Sequence, residues 1–519
     1  MEAILGQLML AFDGFDLPEP MRTRLSTRPA AGISLFRHVN VESPAQLRAL
    51  TEAIQALAPG GLPFLIAADQ ETGQLVGLGA DSTPFAGAMA LGAVADAELA
   101  ERVGAAVGLE LRAAGVNVNY APVCDLATDP ANPGLGVRSF GDDPERAGAL
   151  VAAFVRGHAS SGVATTLKHF PGIGALAGDT HHELVAVDAD ADTLRRRELV
   201  PFRRGIEAGA GLVMSGHAAV PALGGPADLP ATGDPAVARH LLRDELGFAG
   251  VAISDAFNMR SLAQGPAGRA IEAVAALRAG LDLLLLTSDP AGAELDDALV
   301  LASTRGLLDP GSASLERIAI LRRSLAATPA GGEPDLSVIG SASHRVLADE
   351  LARRSITQVR DDADLLPLRV ADGAEVAVVM PRPSDLTPAD TSSTVAPSLA
   401  AAIRRHHPRV TERLVAWDPA RDEIEGTRHA VDVADVLVIG TISASLAPGQ
   451  VALVESLLAL GKPTVTVALR TPWDLDAYPA ARTHACTYSI LEPSLIALAD
   501  ALFGHAPFPG TLPVRTASG

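Results

Sequence analysis

At 519 residues the chain is too long for a single hydrophobic core, so two or three domains are expected. A formal net charge of −20 argues against nucleic acid and anionic membranes as partners, because an acidic surface repels phosphate. The two cysteines, Cys124 and Cys486, are far apart and match no metal-ligand spacing, so neither a disulfide framework nor a metal site is expected.

The first residues, MEAILGQLMLAFDGFDLPEP, carry Glu2 and Asp13 and no basic stretch, which argues against a signal peptide. No run of eighteen apolar residues follows, and the expectation is a soluble, cytoplasmic protein. From there one unit recurs: a short apolar run, a Gly or polar residue, then an Ala/Leu/Arg-rich helical stretch. The runs lie at 7–12, 32–36, 63–68, 116–121, 164–168, 212–215, 250–254 and 281–286. Eight such units predict a (β/α)8 barrel of the TIM type over 1–328, with a doubly wound sheet as the competing architecture. A Pro/Gly-rich linker at 329–337 ends the pattern. Beyond it, a helix at 341–355 leads to strand candidates at 356–360, 375–380, 436–440 and 464–469, with helical stretches at 398–406 and 449–460. Residues 338–519 therefore read as a second α/β domain, a three-layer sandwich in outline. It has no G-x-G-x-x-G and no P-loop, so no nucleotide and no other cofactor is expected.

Ionisable residues sit directly after the barrel strands: Asp69, Asp125, Lys168 with His169, His217 and Asp255. Barrel enzymes place their chemistry on the loops at the C-terminal ends of the strands, so the pattern points to an enzyme. The densest segment, LKHFPGIGALAGDTHHELV at 167–185, holds an Asp-x-His pair, Asp179 and His181, among Gly172, Gly174 and Gly178. That spacing lets a carboxylate orient an imidazole for proton transfer, and the glycines suggest a mobile loop. A plain surface loop gives the same letters. Asp255 follows the apolar run GVAIS and is either a strand-end carboxylate or the cap of the next helix. Asp69, Gln70 and Glu71 share a third loop, and Arg138 lies in a fourth, glycine-rich one.

Together these segments resemble glycoside hydrolase family 3. The resemblance rests on KHFPGIG at 168–174, DTH at 179–181 and ISDAFNM at 253–259. GISLFRHVN, DQETG, NYAPVCDL, NPGLGVRSFGDDP and ELGFAGVAISD support it across the barrel, and SITQVRDDADLLPL and GTLPV extend it into the second domain. The D-T-H loop is similar to that of the bacterial β-N-acetylglucosaminidase branch. The resemblance implies Asp255 as nucleophile, Asp179 and His181 as acid/base dyad, and Asp69, Arg138, Lys168 and His169 as sugar contacts. It implies a small carbohydrate substrate: a retaining exo-hydrolase of terminal β-linked N-acetylglucosamine in muropeptide or chito-oligosaccharide fragments. Another β-glycosidase, a phosphorylase of the same family and an inactive sugar-binding homologue are the alternatives. Three positions depart from the family pattern: Ile173 replaces a His, Gly77 stands where an arginine is usual, in a stretch that also carries Thr72, and Ala256 replaces the second Asp of S-D-D. No essential catalytic residue is expected beyond Pro334, the second domain only packing on the barrel and shaping its outer rim.

Overall fold

The computed structural model describes residues 2–176, 178, 180, 182–287, 292–309, 312–326 and 332–517. Eight parallel strands form the first domain: β1 (Leu8–Leu10), β2 (Gly32–Leu35), β3 (Leu65–Ala68), β4 (Val118–Asn119), β5 (Ala164–Phe170), β6 (Leu212–Ser215), β7 (Val251–Ala256) and β8 (Leu283–Leu285). They run β1-β8-β7-β6-β5-β4-β3-β2 and close, because β1 pairs with both β8 and β2. Closure excludes the doubly wound alternative.

The strands are apolar on both faces because both faces are covered. Leu212, Met214, Val251 and Ile253 point into the barrel, while Val213 and Ala252 join the outer core beneath the helices. Underneath, helix Ser312–Leu325 seals the interior, inserting Ile318, Leu321 and Leu325 into the same inner cluster. Its Arg322 donates to the carbonyls of Pro63 (2.7 Å) and Leu62 (2.8 Å), just ahead of β3. The barrel floor is therefore a packed plug, and the cavity that gathers the strand-end residues lies at the opposite end of the strands. Long barrel helices begin at side-chain caps: Asp96 accepts from the amides of Glu98 and Leu99, and Asp143 from that of Arg146.

The second domain is a six-stranded sheet of β9 (Thr357–Asp361), β10 (Val376–Pro381), β11 (Val410–Val415), β12 (Val436–Thr441), β13 (Thr464–Ala468) and β14 (Thr483–Cys486). Its order is β9-β14-β13-β12-β10-β11, with β9 antiparallel to β14 and every other pairing parallel. Alternate residues feed two cores, Val376 and Val378 on one side and Ala377 and Val379 on the other, with helices over each. Strands β11 and β14 were absent from the sequence pattern. The first is an edge strand whose Thr411, Glu412 and Arg413 are exposed, so no apolar alternation marks it. The second is short and polar, its buried His484 held by Thr466. The expected linker falls partly on 329–331, outside the described residues. Across the domain boundary, buried Glu110 of the barrel accepts from the Gly340 amide (3.1 Å) and pairs with His344 Nδ1 (2.8 Å). No helix among the described residues is long and apolar enough to cross a membrane.

Truncating the plug leaves a void that the rigid barrel floor cannot fill by collapse. Ile318→Ala is expected to lower unfolding free energy by about 3 kcal/mol, read from denaturant midpoints at unchanged m. A loss under about 1 kcal/mol would mean that the helix does not seal the barrel.

Candidate active site

The loops above the strands enclose a cavity of about 540 Å³, and Asp69, Arg138, Lys168, His169 and Asp255 all line it. The residues expected from sequence to meet a sugar are thus brought together from the loops after β3 and β4 and from the ends of strands β5 and β7. Asp179 and His181 lie outside the described residues. Their described neighbours, Gly178 and Thr180, line a small extension of the space together with Asp255, and His182 lines the main cavity.

Asp69 directly follows β3. A hairpin, Gln70–Thr72 against Leu75–Val76, comes next, its turn made by Thr72 and Gly73 at positive φ. The hairpin buries Glu71, which becomes the hub of an ion network. Arg138 grips Glu71 with two hydrogen bonds of 2.7 Å. Lys168 Nζ sits 2.5 Å from Glu71 and 2.6 Å from Asp69. Burial by itself would raise the Glu71 carboxyl, but Arg138 and Lys168 outweigh it and hold it at about 2. Burial pulls Arg138 and Lys168 downward too, yet the facing carboxylates leave both raised above their ordinary values. Glu71, Arg138 and Lys168 are therefore held in their charged forms, and with Asp69 the set joins two acidic to two basic side chains.

His169 is set by a second pair. Fully buried Asp125 accepts from His169 Nδ1 at 2.7 Å, from the His169 amide at 3.2 Å and from the Ile173 amide at 2.9 Å. An ionised carboxylate only accepts, so the Nδ1 proton is fixed and Nε2 faces Asp255 Oδ2, 3.9 Å away. Asp255 lies within β7, ten residues before helix Gly265–Ala279, so it is no helix cap. Its Oδ1 accepts from the Ala256 amide at 2.7 Å. His217, another strand-end residue, turns away from the cavity: it is buried behind β7, with Nδ1 at 2.6 Å from Thr232 Oγ1 and Nε2 at 3.2 Å from Ala256 O. Ala256 thus serves the strand end through its backbone. Below the carboxylates Tyr120 bonds to Ser34 at 2.7 Å, and burial pushes its phenol far upward.

Two of the glycines that suggested mobility have a steric reason instead. A Cβ at Gly174 would lie inside the Leu126 carbonyl, and Gly172 adopts φ +115° against buried Glu198. Ile173 between them is tied down by Asp125 and, through its carbonyl, by Asn132 (2.9 Å). Gly77 lines the cavity where it leaves the hairpin, and a Cβ there would approach the Asp69 carbonyl to 2.7 Å. No side chain reaches the cavity from that position. Arg37, from the loop after β2, lines the same cavity and donates to Val76 O at 3.3 Å.

Sequence reading noted Glu71 and Asp125 without giving either a role, and it missed Arg37; the second domain was expected to shape the outer rim, with no residue of it named. Pro388, Ala389 and Thr391 line the cavity from that domain. Position after a barrel strand was the available signal for Arg37; the second-domain residues carry none.

Residues 5–321 match the model of the glycosyl hydrolase family 3 N terminal domain. Beta-hexosaminidase A of Pseudoalteromonas piscicida is 31% identical, covering 96% of this chain and 91% of that protein. A beta-hexosaminidase of Stenotrophomonas maltophilia (strain K279a) is 38% identical over 54% of this chain and 82% of its own length. Among solved structures, a glycoside hydrolase family 3 beta-N-acetylglucosaminidase from Paenibacillus sp. str. FPU-7 superposes with a TM-score of 0.91 at 31% identity, covering 99% of this chain and 98% of that one.

Removing the hub charge leaves buried Arg138 without its carboxylate partner, while Lys168 keeps Asp69. Glu71→Gln is expected to destabilise the fold by about 3 kcal/mol. A depressed carboxyl contributes stability that is complete above its unfolded value near 4.5 and lost as pH falls toward about 2. The parent should therefore lose stability over that interval more steeply than the variant, by denaturant titration at each pH. Parallel curves would contradict the assignment of Glu71 as an ionised hub.

Proposed function

The chain belongs to glycosyl hydrolase family 3, and from that premise we propose that it is a retaining exo-β-N-acetylglucosaminidase with Asp255 as nucleophile and His181, oriented by Asp179, as acid/base. The observation that carries the reading is the shared cavity: Asp255 at the end of β7 faces the same enclosed space as Asp69, Lys168, Arg138 and His169. The beta-hexosaminidase relatives and the beta-N-acetylglucosaminidase neighbour support the choice of sugar.

Displacement at an anomeric carbon needs an ionised carboxylate on one face and a proton donor on the other. Asp255 supplies the first. Its carboxylate attacks C1 while the C1–O bond to the leaving group breaks and His181 gives that oxygen a proton. Water then attacks the glycosyl ester, with His181 taking a proton back. The Asp69–Lys168–Glu71–Arg138 network offers donors and acceptors in fixed positions for sugar hydroxyls, so little is spent on ordering them when substrate arrives. His169, held by Asp125, presents Nε2 to the nucleophile's side of the sugar. The pocket above a plugged barrel has no exit through the barrel floor, in keeping with exo-cleavage of a terminal residue. Cell-wall muropeptides and short chito-oligosaccharides are the substrates that fit this reading, in the cytoplasm.

Nitrophenyl β-glycosides test the sugar: release from the N-acetylglucosaminide is expected to exceed release from glucoside and xyloside, and the reverse order would overturn the choice. Sugar phosphate formed only when phosphate is added would mark a phosphorylase instead. Asp255→Ala should lower kcat by about a thousandfold or more with the fold intact, since position 256 is Ala and offers no substitute carboxylate. Activity within tenfold of the parent would exclude Asp255 as nucleophile.

His181→Ala should impair substrates with sugar leaving groups far more than nitrophenyl ones, because nitrophenolate departs without a proton. The glycosyl-enzyme should accumulate, and azide should restore turnover with β-glycosyl azide as product. Equal losses on both substrates without azide rescue would make His181 a binding residue.

A further inference from the structure

We infer that the second domain builds the subsite for the leaving group, with the strap 385–394 as its wall and Arg37 as its hydrogen-bond donor. The strap follows β10 and crosses to the barrel. Its fold is fixed from inside by Asp390, which is fully buried and accepts from both ends of the segment: the Leu386 amide at 3.1 Å and the Ser392 amide at 2.9 Å. Arg470, just past the end of β13, clamps the same carboxylate with two bonds of 2.9 Å and also reaches Ser392 Oγ. An arginine–carboxylate fork of this kind fixes orientation as well as distance.

The strap is then fastened to the barrel hairpin. Thr391 donates from its amide (3.0 Å) and hydroxyl (3.1 Å) to Gln74 O, and its hydroxyl accepts from the Val76 amide at 3.1 Å. Arg37 donates to the carbonyl of the same Val76. Strap, hairpin and Arg37 thus form one tied unit, and each contributes to the cavity lining through Pro388, Ala389, Leu75 and Arg37. The hairpin is shared with the buried network around Glu71, whose charges are already matched, so the strap and Arg37 are the parts of this unit that remain to meet a leaving group. Arg37 feels the Asp385 carboxylate at the start of the strap, but among the described residues its side chain makes no hydrogen bond except that to Val76 O, and Pro388 is exposed at the rim. A guanidinium beside small apolar groups suits a pyranose ring, whose C–H face packs on Pro388 and Leu75 while its hydroxyls accept from Arg37. Arg470 and Asp390 touch no substrate in this arrangement and act as positioning residues.

The inference rests on the proposed glycosidase reading, and binding separates the two. In an Asp255→Asn background, affinity for N-acetylglucosamine and for its β-1,4-linked disaccharide would be measured by calorimetry. Arg37→Gln and Pro388→Gly should each weaken the disaccharide about five- to twentyfold and leave the monosaccharide within twofold. Arg470→Met should do the same if it folds, and in the catalytically competent chain it should raise KM for the disaccharide with little change in kcat. Equal weakening of both sugars, or of neither, by Arg37→Gln and Pro388→Gly would overturn the subsite. Absence of turnover by the parent would overturn the activity without touching the binding comparison.

Discussion

An ammonium group with almost no exposed surface must be paired or it loses its charge, and Lys168 is such a group. Its carboxylate partners, Asp69 and Glu71, come from the loop after β3, and Glu71 in turn binds Arg138 from the loop after β4. Two barrel loops and strand β5 are locked together by one set of two acidic and two basic side chains. Any of them alone would be a liability in a buried position. As a set they give the cavity a floor of hydrogen-bonding groups whose positions are decided before substrate arrives, which is where the catalytic advantage of such networks lies.

The remaining parts of the site hang on that lattice. Asp125 and His169 extend it along the same strand, because His169 is the next residue after Lys168 and its ring is turned by a fully buried carboxylate. Asp255 then meets the exposed edge of the same imidazole. The hairpin that buries Glu71 also receives Thr391, so the docking of the second domain is transmitted to the position of the hub. A change in the strap and a change in the ion network are therefore mechanically adjacent, although the residues belong to different domains.

Gly77, Ile173 and Ala256, read in the sequence as departures from the family pattern, each have a local backbone setting. Gly77 is demanded by the approach of its backbone to the Asp69 carbonyl, and Arg37 brings a guanidinium to the same cavity from another loop. Ile173 keeps its place through main-chain bonds to Asp125 and Asn132, which do not depend on its side chain. Ala256 uses its carbonyl to hold His217 behind the strand. Ile173 and Ala256 act through backbone groups, whereas at Gly77 the close approach of the Asp69 carbonyl leaves no room for a side chain.

Sequence alone determined the barrel and the location of its chemistry. Eight apolar runs of strand length require burial on both faces, and ionisable residues at their ends have nowhere to go but the loops above, so Asp69, Lys168, His169 and Asp255 were legible as a group. Strands β11 and β14 were not, because one is solvated at the sheet edge and the other buries polar groups that are satisfied by neighbours. Only the tertiary structure decided that Glu71 is the hub, that Asp125 sets His169, and that Thr391 reaches Val76 across 315 positions of chain. Periodicity reports how a segment meets its immediate surroundings. Pairings between distant segments depend on how separately formed domains dock, and no local pattern records that.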